Sequence, residues 1–153
     1  MSLPPLLWTL AIIAIIMYAF IRESRERAMK APLRFEIEAR VCFSTKLDYA
    51  MILGRGGYWI AVKGPKRLVV GTDAFMVVSS LGPVHVFRGC ESSIAFSQAP
   101  SRVVTRDWIV VTGRDGARQV QLAVTKKGSL PEIWQAFVGT GAAPESSANF
   151  GSV

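Results

Sequence analysis

The chain has 153 residues, 50% of them hydrophobic and 19% charged, with a mean hydropathy of +0.32. That is room for one ordinary domain and a short appendage, too apolar for a disordered chain and too short for a two-domain enzyme of usual size. Eighteen Lys and Arg against 11 Asp and Glu give a net charge of +7, which favours acidic partners, whether lipid headgroups, nucleic acid or a protein surface.

Leu3 to Ile21 reads LPPLLWTLAIIAIIMYAFI and carries no charge. At ~1.5 Å per residue it makes roughly 28 Å of helix, close to the hydrocarbon thickness of a bilayer. Pro4 and Pro5 fall in the first turn, where a helix tolerates proline, and Trp8 and Tyr18 lie near the two ends, where amphipathic rings favour the interface. A cleaved signal peptide would need a basic stretch before the run and a small-x-small site after it, and neither is present. Arg22, Arg25, Arg27 and Lys30 follow the run and outweigh Glu23 and Glu26. The expectation is therefore a single-pass cell-membrane protein with residues 1–2 outside, a span over 3–21 and the remaining chain in the cytoplasm. Arg22, Arg25, Arg27 and Lys30 would sit at headgroup level in a helical juxtamembrane segment over 22–33, with Glu26 and Lys30 at i,i+4 spacing and Pro32 ending the helix.

The soluble module is expected over 34–139. RFEIEARVCF, Arg34 to Phe43, alternates strictly and predicts a half-buried strand. Leu47 to Leu53 is ambiguous between helix and strand. Short β-rich runs follow at Tyr58–Val62, Leu68–Val70, Phe75–Val78, Val84–Phe87, Ile94–Phe96, Val103–Thr105, Trp108–Thr112 and Arg118–Val124, a spacing that predicts a small antiparallel barrel or sandwich. KGPKR at Lys63–Arg67 and GRDG at Gly113–Gly116 read as tight turns, and Trp108, Val110 and Thr112 share one strand face. At Ser129 the period changes. Ser129 and Glu132 have capping-box spacing, and Leu130, Ile133, Trp134, Phe137 and Val138 form an apolar stripe, so a helix over 129–139 must lie on the sheet. Residues 140–153 are small and polar and read as a disordered tail.

Short antiparallel strands closed by one amphipathic helix carrying a Trp resemble a pleckstrin-homology-like (PH-like) domain, here of a single-pass, membrane-anchored bacterial type. The resemblance rests on the meander Tyr58–Ser80, the hairpin Asp107–Val124 and the helix Ser129–Gly139 with Trp134. It implies two antiparallel sheets with the last helix plugging one end, and a function that is most often binding of lipid headgroups or of a protein. Many lipid-binding members carry a basic cluster at the first hairpin, a place that Lys63, Lys66 and Arg67 occupy if Tyr58–Val62 is the first strand.

The residues offer little to catalysis or to metal. Cys42 and Cys90 lack CxxC or metal-ligand spacing and read as ordinary small residues, and His85, the lone histidine, sits between Val84 and Val86 as a strand position would. Gly54-Arg-Gly-Gly57 lacks the GK[ST] ending and the following helix of a phosphate loop. Trp108, Trp134 and Phe137 have core-facing periodicity, which leaves no exposed stacking platform for nucleic acid. The expectation is a non-enzymatic adaptor, accessory subunit or assembly factor that binds a protein partner, with no cofactor or metal and without nucleic acid. Recognition of anionic lipid through Lys63, Lys66 and Arg67 is the alternative.

Overall fold

The computed structural model describes residues 4–98, 100–101, 104 and 106–145. It opens with a single helix, α1 (Pro5–Ala39), of 35 residues, about 52 Å long. Its apolar N-terminal half is long and hydrophobic enough to cross a membrane, and none of it is buried by the described residues. The helix does not stop at Pro32, and residues 34–39 are helical rather than extended, which corrects two expectations. Pro32 removes one backbone bond, and both it and Ala28, whose carbonyl loses that donor, are exposed to solvent. The period-2 pattern of Arg34–Phe43 coexists with a helical one. Leu33 and Ile37, four apart, pack on the sheet, Arg34 and Glu38 form an i,i+4 ion pair at 2.8 Å, and Phe35 stays 74% exposed.

Among the described residues ten strands follow: β1 (Phe43–Leu47), β2 (Tyr49–Leu53), β3 (Trp59–Ala61), β4 (Lys66–Val70), β5 (Ala74–Ser79), β6 (His85–Arg88), β7 (Ser93–Ser97), β8 (Trp108–Asp115), β9 (Arg118–Thr125) and, after helix α2 (Leu130–Gly139), β10 (Ala143–Pro144). They form two sheets, ordered β1-β4-β5-β6 and β10-β7-β8-β9-β2-β3, and not a closed barrel. All neighbours are antiparallel except β10, which runs parallel to β7 and so orders part of the segment expected to be a free tail. Of the expected run Val103–Thr105, residues 103 and 105 lie outside the described residues, as do 146–153; Val104 is not in a strand.

The chain passes between the sheets three times, from β1 to β2, from β3 to β4 and from β6 to β7. At the first corner Asp48 accepts hydrogen bonds from Arg106 (2.9 Å) and the Lys127 amide (2.8 Å), and at the second the Val62 amide donates to Ala50 (2.8 Å). Between the sheets lies the main core, including Leu68, Val70, Phe75, Val77, Phe87, Ile94, Ile109, Val111, Leu122 and Val124, closed by Ile133 and Phe137 of α2. The α2 stripe therefore does what its period predicts, although Ser129 makes no side-chain cap. Trp108 and Val110 are buried on the opposite face of the six-stranded sheet, with Ala123, Met51 and Trp59, so it is Ile109 and Val111 that face the main core.

The four-stranded sheet is covered on both faces over β5, β6 and part of β4. Its inner side joins the main core, and its outer side carries α1, where Ile37 and Leu33 pack among Val69, Ala74, Met76 and Val86. This double coverage explains why LVV and AFMVV, in β4 and β5, are continuous apolar runs rather than alternating ones. Near the end of α1 the β4–β5 turn comes very close: a Cβ at Gly71 would lie 3.3 Å from the Ile37 backbone.

Candidate functional site

The helix is fixed to the domain by two contacts. The apolar one is the Leu33–Ile37 patch; the polar one lies two turns nearer the N-terminus, at Lys30. Lys30, Leu33 and Ile37 follow i, i+3, i+7 and share one helical face. Lys30 Nζ donates to Asp115 Oδ1 at 2.9 Å and Oδ2 at 3.0 Å, and to the Val84 carbonyl at 3.3 Å. His85 Nδ1 lies 2.7 Å from Asp115 Oδ2, and the Val86 amide donates to Oδ1 at 3.1 Å. Asp115 thus gathers the helix, both sides of the start of β6, and the end of β8 on one carboxylate.

Burial by itself pushes the Asp115 carboxyl up, but its hydrogen bonds to His85 and Lys30, the attraction of His85 and the Val86 amide together hold it below the ordinary value. An ionised carboxylate only accepts, so His85 Nδ1 carries the hydrogen of their bond. With its oxygens shared among Lys30, His85 and Val86, Asp115 has the connectivity of a structural clamp. Sequence reading placed Asp115 in a turn and Lys30 at headgroup level. Asp115 is instead the last residue of β8, and the turn beyond it is Gly116–Ala117, with Gly116 at φ +66°. The shared face of Lys30 with Leu33 and Ile37 was the available signal.

One turn earlier, Glu26 pairs with Arg118 of β9 at 2.8 Å and with Arg22 at 3.7 Å, rather than with Lys30. A groove of about 730 Å³ opens beside these residues, lined among others by Glu26, Lys30, Arg55, His85, Asp115 and Arg118. Of the other expected interface residues, Arg25 is exposed and Arg27 pairs with Glu23 at 2.5 Å.

Of the expected basic loop, Lys66 and Arg67 line one groove and Lys63 does not. Only Lys63 is in the turn, whose Gly64 has φ +75°. Lys66 and Arg67 belong to β4, where successive side chains point to opposite faces. Arg67 shares the outer face with Val69 and lies directly across from Lys46 of β1. These residues line a second groove of about 750 Å³, beside the last turns of α1, whose wall includes Arg34 and Glu38 and whose floor includes Val69, Met76 and Val78. Lys46 and Arg67 are exposed and have no ion-pair partner among the described residues. Sequence reading did not single out Lys46, which the β1–β4 register alone brings to this place.

Among the described residues no group of three His, Cys, Asp or Glu side chains is placed to hold a metal ion. Cys42 and Cys90 are both free and exposed.

No family model matches the chain, and no curated protein matches it. Among solved structures it is similar to a chain of the Spt16D Pob3N heterodimer, with 9% identity and a TM-score of 0.45. The similar region covers 74% of this chain and 61% of that one, so this chain spans about three-fifths of its length. A likeness that slight carries no argument about function.

Proposed function

We propose that the protein is a single-pass membrane protein that mounts a PH-like domain rigidly at the cytoplasmic surface, as an adaptor or accessory subunit for a protein partner. One observation carries this reading. The helix that leaves the apolar segment does not become a linker but continues unbroken to Ala39 and is bound to the domain at Lys30 and Ile37. A tether that only confined a headgroup-binding module would work as well, or better, with a flexible joint. A rigid mount sets height and orientation, which matter when a second protein must be met at a defined place.

The test is site-specific photocross-linking in the membrane of the cell that makes the protein. Photoactivatable residues at Ser44, Tyr58 and Thr72 are expected to give a discrete protein adduct from at least one site. Adducts to lipid alone from all three would overturn the adaptor reading. Proteolysis of sealed cells checks the orientation, and digestion of the domain from outside would contradict it.

Headgroup recognition is the second reading, and a specific arrangement favours it. The Arg118–Glu26 and Lys30–Val84 contacts bring the β8–β9 and β5–β6 turns alongside the membrane-proximal part of α1. The β2–β3 turn carries Arg55 and Tyr58, the latter 78% exposed, and joins the same groove, while Lys63 adjoins Leu81, which is 72% exposed. Charge reversal at Arg55 and Lys63 would abolish binding of the full chain to anionic over zwitterionic lipid if headgroups are the target.

A further inference from the structure

We infer that the groove between the end of α1 and strands β1 and β4 is a docking site for an acidic, partly apolar segment of a partner protein; this rests on the adaptor reading and names the chemistry of its partner. The outer face of the four-stranded sheet is only half covered. Over β5, β6 and the Val69 end of β4 the helix seals it, burying Val69 and Met76, but the row Lys46, Arg67, Val78 continues past the helix into the groove, with Ser44 of β1 beside it.

Lys46 and Arg67 stand directly opposite each other on neighbouring strands, where Cβ atoms are ~5 Å apart and like charges repel. Arg34 on the helix wall and Lys66 are the other two lining cations, and Glu38, the ion-pair partner of Arg34, is the groove's one lining carboxylate. The free protein therefore holds two uncompensated cations side by side above an apolar floor. An incoming carboxylate relieves that repulsion, and apolar side chains beside it cover Val41, which is exposed, and the half-buried Val78.

Distance along the helix separates a protein partner from a lipid one. Arg34 and Glu38 are 13 and 17 positions beyond Ile21, or roughly 20 and 25 Å along the axis, whereas the headgroup layer is roughly 6 Å deep on each side. The helix wall of the groove therefore lies beyond the headgroup layer. Its apolar floor, with no aromatic side chain among the lining residues, suits a peptide better than a nucleic acid, which seeks stacking platforms.

Two measurements on the full chain in non-ionic detergent test this. The first follows fluorescence anisotropy of a fluorescein-labelled decapeptide of alternating Glu and Val, with an alternating Lys and Val peptide, single-stranded DNA and phosphatidylglycerol bicelles as the other probes. The Glu-Val peptide is expected to bind, the Lys-Val peptide not to bind, and Lys46→Gln/Arg67→Gln to weaken binding by about tenfold or more while Lys63→Gln leaves it unchanged. The second is thermal unfolding: Lys46→Glu turns the repulsive pair into an attractive one and is expected to raise Tm by about 2 °C. No binding of the Glu-Val peptide, binding insensitive to the double substitution, DNA or bicelles bound through Lys46 and Arg67 instead, or a lowered Tm for Lys46→Glu would each overturn the assignment. A persisting protein adduct at Tyr58 or Thr72 would then show that the groove had failed and the adaptor reading had not.

Discussion

The two contacts that hold α1 to the domain solve one problem with opposite chemistry. At Ile37, 1% exposed, shape and apolar area do the work against Val69, Ala74, Met76 and Val86, and that contact is indifferent to pH and nearly so to salt. At Lys30 the contact is a buried ion pair shared with His85, whose net contribution is modest because desolvation offsets most of the attraction. What the polar contact supplies is registry. An apolar helix face can slide by a turn on a sheet, but a lysine that must meet one carboxylate cannot. The pairing of an apolar grip with a polar pin is what makes the mount rigid.

The sharpest way to break the comparison is to remove one side of the pin. Asp115→Ala leaves Lys30 and His85 facing each other without a carboxylate and is expected to cost about 4 kcal/mol in denaturant unfolding. The double change Lys30→Met/Asp115→Leu is expected to cost far less, because no buried charge is stranded. A double variant as unstable as the single one would show that the pin is stabilising in its own right. Ile37→Ala removes the grip instead and is expected to cost about 3 kcal/mol by the same measurement, from lost burial and the cavity left behind.

The contacts should also separate by pH. Asp115 is depressed below its ordinary value of 3.8 in the folded protein, so its contribution is fully present above that value and is lost as pH falls through the lower folded-state value. The unfolding free energy of the native chain should therefore decline below about pH 4, and Asp115→Asn should flatten that decline while Ile37→Ala leaves its shape unchanged. The smallest effect is expected at the rim. Arg118→Ala breaks the half-exposed pair with Glu26 and should cost about 0.5 kcal/mol, diminishing with added salt.

Much of the β-domain was legible in the sequence because its strands are bounded by turn residues and its last helix carries a clear stripe. Ile133 and Phe137 sit in the core as their spacing requires. The apolar segment was legible too. What escaped was the joint between them. RFEIEARVCF satisfies a strand pattern by letter, yet Leu33 and Ile37 gain burial only as a helix, and that burial depends on Val69, Ala74, Met76 and Val86, distant in sequence. The unalternating runs of β4 and β5 did signal a second cover on that sheet, without saying which segment supplied it. Likewise Lys66 and Arg67 are adjacent in sequence and were expected to converge, but strand geometry sends them to opposite faces and pairs Arg67 with Lys46. Lys30 and Asp115 are far apart in the chain and charged, and nothing local tells such residues from ordinary surface ones.

The central claim is that the apolar helix and the domain move as one body. Double electron–electron resonance on the full chain in lipid nanodiscs, with Cys42 and Cys90 replaced by Ser and spin labels introduced by Trp8→Cys and Thr72→Cys, tests it directly. The account predicts a single narrow distance distribution that broadens in Asp115→Ala and in Ile37→Ala. A distribution already broad in the otherwise native chain, and unchanged by either substitution, would contradict it.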